Sequence, residues 1–319
     1  PVDIDSAAGL AGGSWPEAAG TIERHPPMRK RIRVTLEFSI LFAFLPVVAA
    51  GHPPQLRGVI PNQYEEAAIA KGEQLGLGTA RIEGPESVEA YTFGSWSFIY
   101  TAGKAGIQPG GGIRVGIRHL HCWTAPQTDD PKSDGYLSAR SSSGQAVQIK
   151  IPPQNKTMGR YFAWQHLVEV VFPEQGLAEG ETLTLVFGDR SDGSRGIRVQ
   201  PFDEACFVFK TYVDAIGTDE YLPLRNSPAI EVVAAEPYRL NLVTPSDAVV
   251  GETTWCLVRA EDRFGNPATS YRGTIRLMSS DSAAKVPTSY TFTAEDRGVH
   301  RFNSVVFTQI GNHRLTVGD

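Results

Sequence analysis

The chain has 319 residues, a formal net charge of −5, 41% hydrophobic residues and 20% charged residues. These values are typical of globular proteins and argue against a wholly disordered chain or a multi-span membrane protein. The small acidic excess offers no electrostatic footprint for nucleic acid, so we expect no such partner. The length fits about two domains. The 32 glycines and 22 prolines favour many short strands joined by turns.

The N-terminal part of the sequence has the pattern of an exported protein. Residues 28–50 combine a basic head, an apolar run and a tail of small residues, as a secretory signal peptide does. We predict a signal peptide over 28–50 that starts at Met28 and is cleaved near Gly51. The apolar run is shorter than the ~20 residues of a membrane span, so we expect a secreted or periplasmic protein with no transmembrane span after cleavage. Residues 1–27 lack periodicity and are interpreted as a disordered or non-native extension.

One helical window precedes a long stretch with the period of β-strands. Residues 61–72 predict a short helix that Asn62 caps and Gly72 ends. Large apolar residues then alternate with small or polar ones, as in half-buried strands. These strands centre on residues 96–100, 113–117, 147–151, 167–172, 183–187 and 207–213. Because no helix-length segment separates them, we predict an antiparallel β-sandwich domain over 51–228.

A second β pattern follows the proline-bearing stretch 221–228, which we take as the domain boundary. Its strands recur at the spacing of an immunoglobulin-like sandwich. They are predicted at residues 238–242, 255–260, 273–277, 290–292, 300–302 and 313–317. In the turn 262–267, Asp262 can hydrogen-bond its own backbone, and Gly265 and Asn266 tolerate a positive φ. The predicted fold is therefore all-β, with two antiparallel β-sandwich domains, the second immunoglobulin-like over 229–319, and one short N-terminal helix.

Several loop and turn motifs resemble a bacterial family of exported proteins of the domain-of-unknown-function type. The motifs that carry the resemblance lie at residues 100–112, 126–131, 188–193, 221–237 and 262–267. The resemblance covers roughly 78–319 and implies an N-terminal β-rich portion that precedes a domain similar to the polymerase-and-histidinol-phosphatase (PHP) metal-dependent hydrolases.

This resemblance implies a role without catalysis for the present chain. The chain would support or position a hydrolase domain that lies beyond Asp319, and it would itself hold no catalytic residue and no cofactor. Residues 229–319 also resemble the immunoglobulin-like modules of bacterial surface proteins, through 259–267 and 271–274. That second likeness implies architecture and not chemistry.

The sharpest metal-like feature of the sequence is the pair His119 and His121. Residues i and i+2 of a strand face the same side, so two imidazoles could bind one ion. Asp129, Asp130 or Cys122 could add a ligand, but a polar loop explains the same residues. The two aspartates could also act as acid and base, although neighbours in sequence rarely face each other across a substrate. We therefore predict a solvated turn and no metal site.

Three other features have a functional and a structural interpretation. The loop 189–193 resembles a calcium loop but lacks the acidic twelfth residue, which favours a turn. Tryptophans can form a sugar-stacking platform or pack in the core, and the alternative function of a carbohydrate-binding or adhesive cell-surface module depends on which they do. The tryptophans concerned are Trp96, Trp123 and Trp164. The third feature is the set of three cysteines, Cys122, Cys206 and Cys256. We interpret them as small buried hydrophobic residues that form at most one disulfide.

Overall fold

A computed structural model describes residues 63–118, 122–153, 164 and 166–319. The predicted signal peptide 28–50, the extension 1–27 and the histidines His119 and His121 lie outside the described residues. The described part contains one helix, α1 (Gln63–Leu75). Its strands are β1 Gly78–Glu83, β2 Ser87–Glu89, β3 Phe93–Gly94, β4 Trp96–Ala102, β5 Gly112–Ile117, β6 Leu137–Ser141, β7 Gln148–Lys150, β8 His166–Val171, β9 Thr182–Phe187, β10 Ile197–Arg198, β11 Glu204–Val208, β12 Lys210–Asp214, β13 Leu222–Pro223, β14 Ala229–Val233, β15 Arg239–Val243, β16 Thr253–Glu261, β17 Thr274–Ser279, β18 Tyr290–Thr291, β19 Val299–Val306 and β20 Leu315–Gly318. The predicted all-β fold with one short helix is confirmed.

Helix α1 runs three residues beyond Gly72, where the sequence predicts its end. The residue that stops it is Gly76, whose φ of 70° is the left-handed conformation that glycine adopts at little cost. The N–H of Gly76 donates to the carbonyl of Glu73 at 3.1 Å, and the N–H of Leu77 donates to that of Gly72 at 3.3 Å. This pair of hydrogen bonds satisfies two of the last four carbonyls of the helix, which ends three residues later than predicted.

The first β region is a sandwich of two antiparallel sheets. One sheet has the strand order β1-β4-β9-β6 and the other the order β13-β12-β5-β8-β7. Inward side chains from both sheets, among them Phe98, Leu185, Val115 and Val170, belong to a single buried cluster. Burying such a side chain stabilises the fold by about 1.5–3 kcal/mol, so this shared core holds the two sheets face to face.

The stretch 207–213, predicted as one strand, is divided at Phe209 into β11 and β12. Strand β11 pairs with β14, whereas β12 pairs with β5 of the sandwich, so the chain changes sheets at Phe209. Strand β14 lies after the predicted boundary at 228, yet it pairs with β11 and, in parallel, with β2. Strand β14 thus pairs with earlier strands, whereas β15 pairs with the later strand β16. We therefore call residues 78–233 the N-terminal β region and residues 239–318 the C-terminal β region.

The C-terminal β region is a smaller sandwich. Its sheets have the orders β15-β16-β19 and β18-β17-β20, and residues of both, such as Val258 and Ile275, share one buried cluster. Strand β16, the second of this region, pairs with β19, the fifth. Strand β17, the third, pairs with β20, the sixth. These are the B–E and C–F pairs of an immunoglobulin sandwich, which agrees with the architecture expected from strand spacing.

Candidate functional site

The paired carboxylates Asp129 and Asp130 lie in an exposed turn that Gln127 organises. Gln127 Oε1 accepts hydrogen bonds from the N–H groups of Asp129 at 2.7 Å and Asp130 at 2.9 Å, and Gln127 Nε2 donates to the carbonyl of Asp130 at 2.8 Å. The Ser133 hydroxyl and the Lys132 N–H hold the pKa of Asp130 below its ordinary value. The turn itself thus satisfies the Asp130 carboxylate, which favours the solvated-turn interpretation.

In the loop 189–193, a polar group of the loop and one of strand β6 satisfy the carboxylate of Asp189. The carboxylate of Asp189 accepts hydrogen bonds from the Ser138 hydroxyl and, at 2.9 Å, from the Ser191 N–H. Burial opposes ionisation, but these donors outweigh it and lower the pKa of Asp189. In the described part of the chain, no group of three His, Cys, Asp or Glu side chains is placed to hold a metal ion. The pair His119 and His121 lies outside the described residues.

All three tryptophans singled out in the sequence are buried. Trp96 donates from Nε1 to the carbonyl of Pro85 at 2.9 Å, and Trp123 stacks on Phe207 with ring centroids 4.3 Å apart. Trp164 lies in a separate buried cluster on the other face of the five-stranded sheet. A sugar can stack only on an accessible ring face, so the geometry favours core roles for these rings.

The three cysteines are all free, and they differ in burial. Cys256 is buried in the core of the C-terminal β region, as interpreted from the sequence, whereas Cys206 is half-buried and Cys122 is exposed. Burial raises the pKa of the Cys206 and Cys256 thiols. Neither of these two has the lowered pKa of a reactive cysteine.

A buried polar clamp fastens the two β regions to each other. Its centre is Asp262, a fully buried carboxylate at the end of β16. Asp262 Oδ1 accepts hydrogen bonds from the N–H groups of Phe264 at 2.8 Å and Asn266 at 2.9 Å, as the sequence predicts for this turn. Asp262 Oδ2 accepts from the N–H of Ala235 at 3.0 Å, in the segment that connects the two regions. Burial favours the neutral acid, but the hydrogen bonds from Asn266, Ala235 and Phe264 together lower the pKa of Asp262.

The buried Asn266 extends this clamp across the junction. Its Nδ2 donates to Asp262 Oδ2 at 2.7 Å and to the carbonyl of Pro201 at 2.8 Å, and its Oδ1 accepts from the N–H of Asp203 at 3.1 Å. Pro201 and Asp203 belong to the N-terminal β region, so one amide bridges both regions. Of the two turn residues expected to tolerate a positive φ, only Gly265 adopts one, at 93°.

Beside the clamp lies a cleft of about 310 Å³. It is bordered by the turn after β2, by the connecting segment and by the tip of the clamp turn. Pockets that hold small ligands begin at about this size. The charged and aromatic side chains that line it are those of Glu89, Tyr91, Glu236, Tyr238, Arg263 and Phe264. We call these residues the junction cleft.

The exposed aromatic residues of the described chain concentrate at this junction. The four that are more than a third exposed are Tyr238 at 69%, Tyr91 at 43%, Phe202 at 38% and Phe264 at 37%. Three of them line the junction cleft, and the fourth lies between the two residues that bind Asn266. Isolated exposed apolar residues are ordinary, whereas exposed rings in contact, as Tyr91 and Phe264 are, are typical of interaction sites.

The backbone holds Tyr91 and Tyr238 in place. Tyr91 has a φ of 64°, which is uncommon for a residue other than glycine, asparagine or aspartate. Its N–H donates to the carbonyl of Gln200 at 2.9 Å, and its ring centroid lies 5.1 Å from that of Phe264. The N–H of Tyr238 donates to the carbonyl of Glu261 at 2.7 Å. Strained residues of this kind cluster at functional sites. The conformation of Tyr91 therefore supports a functional role for the junction cleft.

A cation lies behind the Tyr91 ring. The guanidinium carbon of Arg198 is 4.1 Å from the centroid of that ring, a cation–π contact. Within the part of the chain that the structure describes, Arg198 Nε is buried without a hydrogen-bond partner. Such a donor is costly to leave unsatisfied, which is a second irregular feature next to the cleft.

Sequence reasoning did not identify the junction cleft. Tyr238 reads as the first residue of a strand, and Phe264 as part of a turn, because the period of two does not show which strand ends meet in space. The available signal was the aromatic Phe264 at the centre of a turn otherwise composed of Asp, Arg, Gly, Asn and Pro. A large ring at a turn tip has no core to fill.

Comparison with known proteins gives no family for this chain, since neither a protein-family model nor a curated protein matches it. Among the residues that the structure describes, no helix is long and apolar enough to cross a bilayer.

Proposed function

We propose that this chain is a non-catalytic β support in an exported protein of the PHP-like hydrolase family, and that it positions a catalytic domain absent from the chain. A support of this kind must keep a fixed geometry between its attachment points. The observation that carries the proposal is the clamp, in which Asp262 and Asn266 join the two β regions through buried hydrogen bonds. The resemblance of the loop motifs to that family gives the partner class.

The test combines metal analysis of the purified chain with a screen of phosphate-ester substrates. The matched variant is His119→Ala/His121→Ala, which removes the two histidines with metal-like spacing. We expect no stoichiometric metal and no turnover in either protein. Stoichiometric metal with turnover that the double variant abolishes would overturn the proposal in favour of a self-contained enzyme. Reading the coding frame beyond Asp319 checks the partner class, for which we expect a domain rich in His and Asp.

A second candidate function, a carbohydrate-binding or adhesive cell-surface module, is favoured by one observation. The rings that support it are the exposed aromatics of the junction cleft and not the tryptophans considered in the sequence. Binding and support are compatible, because a module that holds a polymer also brings an attached hydrolase to it.

A further inference from the structure

We propose that the junction cleft binds a neutral oligosaccharide, with Tyr238 and Phe264 as stacking platforms. This inference deepens the second candidate function and rests on it. A sugar ring presents C–H groups on its faces and hydroxyl groups at its edge. A site for it therefore combines accessible aromatic faces with hydrogen-bonding groups around them.

The aromatic half of such a site is present. The Tyr238 side chain is the most exposed ring at the cleft and makes no hydrogen bond or ring contact with other described residues. Phe264 is held at the tip of the clamp turn, where Asp262 Oδ1 accepts its N–H at 2.8 Å. Two rings on well-anchored backbone give contact area at a low cost in conformational entropy.

The polar half of the site selects a ligand with many donors. The carboxylates of Glu89 and Glu236 line the cleft and make no hydrogen bond or ion pair with other described residues. Ionised carboxylates only accept hydrogen bonds. A proline-rich peptide, the other usual occupant of an aromatic groove, has few N–H groups to offer them. A sugar has a hydroxyl on most carbons and satisfies both carboxylates and the guanidinium of Arg263.

The charge at the cleft gives no preference for an anionic sugar. Glu89 and Glu236 oppose the single cation Arg263 among the charged residues that line it. The neighbouring Arg198 is engaged with the Tyr91 ring and brings the local balance to zero. Like charges brought together cost binding energy, whereas a neutral ligand meets no such penalty. The cleft is thus suited to an uncharged sugar.

The experiment is affinity electrophoresis of the full chain in native gels. The gels contain hydroxyethylcellulose, galactomannan or a soluble β-1,3-glucan, with polygalacturonate as the anionic polymer and a polymer-free gel as reference. We expect retardation by at least one neutral polymer. In the variant Tyr238→Ala/Phe264→Ala the affinity is expected to fall at least about tenfold, equivalent to about 1.4 kcal/mol, with an unchanged thermal midpoint.

The matched control is Met278→Ala/Ile310→Ala, which truncates two exposed apolar residues outside the cleft. It is expected to bind as the wild type does. Equal retardation of wild type and Tyr238→Ala/Phe264→Ala would overturn the cleft assignment while leaving carbohydrate binding intact. Retardation by none of the polymers would overturn both. Stronger retardation by polygalacturonate, or binding of a decaproline peptide that the cleft variant loses, would overturn the choice of a neutral sugar.

Discussion

Replacing Asp262 with alanine tests the clamp most sharply. The substitution removes the acceptor of three backbone N–H groups, those of Ala235, Phe264 and Asn266. The Asn266 N–H is buried and loses its partner outright, at a cost of about 1–3 kcal/mol, while the other two lie nearer to solvent and lose about 0.5–1.5 kcal/mol each. The substitution also removes one acceptor of the buried Asn266 Nδ2. We therefore expect Asp262→Ala to lower the free energy of unfolding by at least about 2 kcal/mol.

The assay is urea unfolding followed by tryptophan fluorescence, with the slope against urea compared between proteins. The control is Asp130→Ala, which removes a carboxylate that also caps a turn but lies exposed. Its expected effect on the urea midpoint is small, as for most surface substitutions. If Asp262→Ala cost no more than Asp130→Ala, the assignment of Asp262 as a buried clamp would be wrong.

Two further predictions concern individual residues of the fold, and a third concerns the N-terminal sequence pattern. A Cβ on Gly94 would lie 2.0 Å from the buried Trp96 ring, whereas a Cβ on Gly318 meets nothing within 4 Å. Gly94→Ala should therefore lower the thermal midpoint by several degrees, and Gly318→Ala should leave it nearly unchanged. The pKa of Asp262 is lower in the folded than in the unfolded protein, where it is about 3.9. The ionised carboxylate therefore stabilises the fold above that pH, and this contribution is lost as pH falls through the folded pKa. The difference in free energy of unfolding between wild type and Asp262→Asn should thus become smaller below about pH 4. N-terminal sequencing of the secreted protein should begin near Gly51, and a cytoplasmic product that retains residues 28–50 would contradict export.

The fold was predictable from the sequence because hydrophobic periodicity is a local signal. Strand β9, and β4 apart from Ile99, follow directly from the alternation of buried and less buried residues. Strand β5, also predicted as half-buried, is buried at every position but Arg114. The errors fall where partners in space decide the outcome. The stop of α1 at Gly76 depends on which glycine adopts the left-handed conformation, and the break at Phe209 depends on β11 and β12 pairing in different sheets.

The candidate site was much less predictable. The turn containing Asp262 was identified by its residue types, since an aspartate followed by Gly and Asn is a local turn signal. Its partners Ala235 and Pro201 lie 27 and 65 residues from the clamp residues they bond, and no local pattern announces such contacts. The same holds for Tyr91 and Tyr238, which only the pairing of the sheets brings to one cleft.

The measurement that tests the central claim most directly is backbone ¹⁵N relaxation of the full chain. If the clamp makes the two β regions one support, the amides of 78–233 and 239–318 will report the same rotational correlation time. In Asp262→Ala/Asn266→Ala, which removes the side chains that bridge the junction, the two regions should report different times. Two distinct correlation times in the wild type would contradict the account.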